Sequence, residues 1–103
     1  MAMGPMVLFD NGNESVGCFP LGTLSMIEAG NDVVNLYFGH SIKHIVVLAC
    51  ADGNSDVIVR NLAAIFAPMD KFHQKLITVA DDANSVYLDA LITGVTSITA
   101  DPA

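Results

Sequence analysis

Three histidines, His40, His44 and His73, two cysteines, Cys18 and Cys50, and a surplus of carboxylates are the side chains of this chain that could do chemistry. Neutral imidazole can act as a nucleophile or move a proton near neutral pH. A thiolate can attack a substrate or bind a metal. No two histidines sit at i, i+4 with a carboxylate between them, so the sequence encodes no local metal site. Neither cysteine belongs to a Cys-x-x-Cys pair or has a Cys/His neighbour arrangement. A Gly-x-Ser-x-Gly elbow and a glycine-rich phosphate loop are also missing from the sequence. His73, between Phe72 and Gln74 on an expected helix, reads as a solvated surface residue, and His44, at the start of an apolar run, as a structural one. His40 follows Gly39 in a loop at a strand end, where sites occur in α/β folds.

These residues must be positioned by a β-rich first half and a helical second half. Met6 to Phe9 is a short apolar run ending in the turn signal Asp10-Asn11-Gly12-Asn13. Val16 to Ile27 is interrupted by Gly17, Pro20 and Gly22, which predicts a bulged or edge strand. Val33 to Phe38 has strand character. Ile42 to Ala51 is the clearest strand, and its run Ile45 to Cys50 reads as buried on both faces. After the turn Asp52-Gly53-Asn54, Ser55 is a suitable N-cap and Asp56 complements the helix dipole. Ile58, Leu62, Ile65 and Phe66 recur at helical spacing until Pro68 ends the helix. A second helix is expected from Asp70, with Phe72, Leu76, Val79 and Ala80 on one face. A third is expected from Asp81 or Asp82, with Leu88, Leu91 and Ile92 facing inward and Gly94 as its stop. The segment after Val95 carries no firm signal. The fold class these elements predict is α/β: a mixed sheet of about four strands, followed by three C-terminal helices packing on it, in a single domain over 1–103.

The strand-turn-helix from Leu48 to Val57 would place free N–H groups at a strand end, which is a default anion site. Asp56 in that first turn would repel a bound phosphate, and its ordinary role is to start the helix.

With 103 residues, net charge −7 and only four basic side chains, the chain lacks the positive surface that nucleic acid or an anionic membrane requires. An acidic surface suits solubility or a basic protein partner. No apolar run approaches the roughly 20 residues that span a bilayer, and no signal peptide is evident. Two thiols inside apolar runs suggest buried cysteines in a reducing compartment, so the cytoplasm is the expected location. The chain is 52% hydrophobic and 15% charged. That excess implies either a sheet covered on both faces or a subunit that hides surface in an oligomer.

The segment Ile42 to Asp56 resembles the enzyme IIA family of the phosphotransferase system, of the mannitol, fructose and ascorbate type. In that family a strand ends in Leu-Ala-x-x-Asp, and a His-Leu pair opens a long helix. Here the pair is Asp56-Val57. Asn61 to Phe66 is similar to the family's Leu-Ala-x-Leu-Phe helix, and Phe72 to Ala80 and Ser85 to Leu91 resemble its two C-terminal helices. Phe38-Gly39-His40 looks like its Phe-Gly-His element, without the acidic pair that follows. Gly4 to Asn11 is similar to the Gly-Pro-x-x-Ala-x-Pro-His motif, whose histidine carries the phosphoryl group. That place falls here on Asn11. The family domain is longer at its N-terminus, so the resemblance implies that its first part is missing here.

What the resemblance implies is a phosphoryl relay between proteins in sugar uptake, with protein partners from a phosphotransferase system and no cofactor or metal. An amide at Asn11 is not nucleophilic. Asp56, at the second histidine's position, would add charge beside a phosphoryl group, costing about 4 kcal/mol at ~4 Å and an effective dielectric near 20. Both departures predict an inactive or regulatory relative. The alternatives are an active carrier that uses His40 or Asp10 as acceptor, and a non-enzymatic α/β subunit that acts through homo-oligomerisation.

Overall fold

A computed structural model describes residues 5–12, 15–39, 42–68 and 76–102. His40, Asp70, Phe72 and His73 lie outside the described residues. Strand β1, Met6–Asp10, alternates half-buried Met6 and Leu8 with fully buried Val7 and Phe9. The Asp10 carboxylate accepts the Gly12 N–H at 2.8 Å, and Gly12 turns the chain at φ +80°, a conformation that favours glycine. Strand β2, Val16–Pro20, returns antiparallel to β1. A single 3-10 turn, Leu21–Thr23, leads into β3, Leu24–Ala29. β4, Val33–Phe38, and β5, Ile42–Cys50, follow as an antiparallel meander.

Helix α1, Ser55–Phe66, buries Ile58, Leu62 and Phe66 at helical spacing and stops before Pro68. Its N-cap is Asn54. The Ser55 hydroxyl, expected as the cap, instead donates to the Gly30 carbonyl and ties the helix to the turn between β3 and β4. The chain then forms β6, Leu76–Asp81, the two-residue β7, Val86–Tyr87, and the long β8, Ile92–Pro102.

The described strands make two four-stranded sheets, ordered β2-β1-β6-β7 and β3-β4-β5-β8. β1 and β6 run parallel, and the other described pairs are antiparallel. The inner faces of the two sheets and the apolar stripe of α1 share one core. Phe19 of β2 stacks on Phe38 of β4 with centroids 4.6 Å apart, and Phe9 meets Phe38 edge-on at 5.8 Å. His44 joins this cluster, 5.4 Å from the Phe19 ring, consistent with a structural role.

The expected α/β architecture, four strands followed by three C-terminal helices, is therefore incorrect. The chain is mostly β, and α1 is the only α-helix among the described residues. Leu76 to Asp81 and Ile92 to Pro102 are strands, and Val86–Tyr87 is a third. Two physical features explain the misreading. β6 carries a bulge: Leu8 opposes Thr78 while Phe9 opposes Ala80, which leaves Val79 as an extra residue. Val79 and Ala80 are consequently buried side by side, which breaks the two-residue alternation and imitates helical spacing. The β-branched residues of Ile77-Thr78-Val79 and Val95 to Thr99 then favour the extended form.

Asp81 and Asp82 cap no helix. Asp81 instead closes a turn, accepting the Asn84 N–H at 3.2 Å and its side-chain amide at 2.8 Å. Gly94 stops no helix either. It lies in β8 opposite Ala49, where an added Cβ would stand 3.3 Å from the Asp82 carboxylate. No described helix is long and apolar enough to cross a membrane.

Candidate functional site

The residues expected to carry chemistry are set on different elements. Asn11 follows β1 of the first sheet, and its N–H bonds the Ser15 carbonyl at 3.1 Å. Asp56 lies on the exposed first turn of α1. It takes the Arg60 Nε at 3.2 Å on both oxygens, an i, i+4 ion pair on the helix surface. His40 is outside the described residues.

Asp10, Asp82 and Asp89 are committed to structure. Asp10 holds the Gly12 N–H. Asp82 accepts the Tyr87 hydroxyl at 2.7 Å and the Val95 N–H at 3.0 Å, and that hydrogen bond holds the Tyr87 phenol above its ordinary pKa. Asp89, almost wholly buried, takes the Leu91 N–H at 2.9 Å and the Asn61 amide at 2.8 Å. The bonds of Asp10 to Gly12 and Asp89 to Leu91 close turns and have a sequence signal, an aspartate two residues before the N–H it caps; those of Asp82 to Tyr87 and Val95, and of Asp89 to Asn61, span five residues or more and have none.

An open cleft of about 460 Å³ is lined by Asn31, Asp32 and Asp52 at the ends of β4 and β5. The Cys50 thiol beside it is buried. Desolvation first, then the charges of Asp32 and Asp52, push its pKa up. A thiol so placed is held protonated and is a poor nucleophile. Among the described residues no group of three histidine, cysteine or acidic side chains could hold a metal ion. Cys18, expected to be buried, is exposed on edge strand β2.

The outward sides of the two sheets are less ordinary. Alternation should leave polar residues on a face turned to water. On the β2-β1-β6-β7 sheet the outer side instead carries Val16, Cys18, Leu8 and Leu76, with Val16 and Leu76 each 58% exposed. On the β3-β4-β5-β8 sheet the register aligns Met26, Tyr37, Ile45 and Thr99 in one outward row. The next row is Glu28, Asn35, Val47 and Ser97. Ile45, Val47 and Ala49, expected to be covered, are only half-buried. The apolar excess of the sequence is thus spent on outer faces as well as on the core.

Compared with protein-family models, curated proteins and solved structures, the chain matches none.

Proposed function

We propose that this chain is a non-enzymatic subunit that acts by associating with other copies of itself. The observation that carries this reading is the set of apolar residues on the outer sides of both sheets, Val16 and Leu76 on one and Met26, Ile45 and Val47 on the other. The chemistry of the described residues is in keeping with it: Asp10, Asp81 and Asp89 close turns, and the buried thiol is held protonated. The net charge of −7 argues against nucleic acid as the partner. Two free cysteines suit a reducing compartment and hence the cytoplasm. Native mass spectrometry tests the reading. A mass that is a multiple of the 10.9 kDa chain is expected, and a monomer at every concentration would overturn it.

One observation favours a second reading, an enzyme IIA relative that has lost phosphotransfer. β5, the turn at Asp52-Gly53 and α1 form the strand-turn-helix that the resemblance implies, with Asp56 on the first helical turn. The two C-terminal helices of that resemblance are strands here, which leaves it resting on 42–66 and on the two shorter motifs before it. Incubation with phosphoenolpyruvate and the general phosphotransfer proteins, followed by intact mass, tests it. The inactive relative gains no phosphate, and an acid-labile adduct would reveal a working acceptor.

A further inference from the structure

The self-association reading leaves open which surface pairs, and the following inference rests on that reading. We propose that two copies pair through the outer face of the β3-β4-β5-β8 sheet about a twofold axis, with Lys43 of each copy set against Glu28 of its partner.

Area favours this sheet over the other. Its strands are six, six, nine and eleven residues long, against five, five, six and two. At about 4.8 Å between strands and 3.3 Å per residue, its flat footprint is roughly 500 Å² against roughly 290 Å². A stable pair needs about 800 Å² of accessible surface per partner, which only the larger face approaches once side-chain relief is added.

Charge supplies the second argument. The molecule is acidic, and most approaches of two copies bring carboxylates together. The centre of this face, Tyr37, Ile45 and Val47, is uncharged. An exposed carboxylate, Glu28 on β3, and an exposed ammonium, Lys43 on β5, flank it on opposite sides. Glu28 is held in place: its Oε1 accepts the Tyr37 hydroxyl at 2.9 Å and the Asn35 amide at 3.4 Å. Lys43 lies two strands across from Glu28 and four residues from Val47, which shares the Glu28 row. Those offsets are about 10 Å and 13 Å, and their midpoint falls at Tyr37. An isologous interface requires such self-complementarity: what one copy offers at i, it must meet at j. A twofold through Tyr37 exchanges the Lys43 and Glu28 positions and crosses the strands of the two copies steeply, close to the orthogonal class of sheet packing. Asp101 stands opposite Lys43 in the β5–β8 register, so a pairing confined to one copy is the alternative that the experiment must separate.

Charge exchange read by sedimentation equilibrium separates them. Lys43→Glu alone and Glu28→Lys alone set like charges against each other, and each weakens the dimer on the order of tenfold or more. The double variant Lys43→Glu/Glu28→Lys restores the wild-type constant, because opposite signs meet again across the axis. Circular dichroism checks that all three are folded. A dimer that ignores the single changes, or weakens without rescue by the double, overturns the proposed interface while leaving self-association intact. Dissociation by Leu76→Asp instead would assign the pairing to the other sheet. A wild-type chain that stays monomeric removes both the interface and the reading beneath it.

Discussion

Asp82 accepts the backbone N–H of Val95 at 3.0 Å, and this bond links the turn after β6, in one sheet, to β8, in the other. The same carboxylate takes the Tyr87 hydroxyl, so one side chain organises two segments that follow it. Gly94 leaves the room it needs. Removing both bonds by Asp82→Ala is expected to cost about 1–3 kcal/mol, the price of orphaned polar groups. Urea denaturation reads the loss, and an Asp82→Ala midpoint equal to wild type would contradict the role.

Asp89 does comparable work at the helix. It joins Asn61 of α1 to the Leu91 N–H that opens β8, and it is almost wholly buried. Asp89→Ala leaves the Leu91 N–H and the Asn61 amide without their acceptor, and about 1–3 kcal/mol of stability should be lost. Asp89→Asn keeps an acceptor oxygen and should lose less. Equal losses for the two variants would show that the carboxamide cannot substitute.

Alkaline pH should weaken the fold through its tyrosines. Hydrogen bonds to Asp82 and Glu28, each the leading cause, hold Tyr87 and Tyr37 above the ordinary phenol value. A raised folded value means that the folded chain keeps the proton more tightly. The stabilisation is therefore complete below about pH 10, the unfolded value, and is lost as pH rises through the folded one. Urea midpoints measured on either side of that pH should fall in the wild type and fall less in Tyr87→Phe. Identical slopes for the two proteins would remove Tyr87 from the account.

The two thiols should differ sharply in reactivity. Cys18 is exposed on β2, whereas Cys50 is buried and its pKa is pushed up by desolvation, then by Asp32 and Asp52. Iodoacetamide at neutral pH is expected to modify Cys18 in the native chain and Cys50 only after unfolding. Peptide mapping that finds Cys50 modified first would contradict the buried placement.

Much of the meander was legible in the residues. Val33 to Phe38 has strand character, Ile42 to Ala51 carries a continuous apolar run, and Ile58, Leu62, Ile65 and Phe66 recur at helical spacing; they form β4, β5 and α1. Leu76, Val79 and Ala80 misled because a bulge buries two neighbours together and so imitates a helix. Leu88, Leu91 and Ile92 misled because they share helical spacing while Asp89 folds a turn among them. Asp81 and Asp82 are as competent at closing turns as at capping helices, and nothing local separates the two uses. The candidate surface was half legible. The apolar run Ile45 to Cys50 predicts that both sides of β5 are covered, whereas Ile45, Val47 and Ala49 on its outer side are only half-buried.

The molar mass of the unmodified chain in solution, measured by light scattering during size-exclusion chromatography over rising concentration, tests the central claim most directly. Self-association predicts a mass that climbs to twice the 10.9 kDa of one chain. A mass that stays at one chain throughout would contradict it.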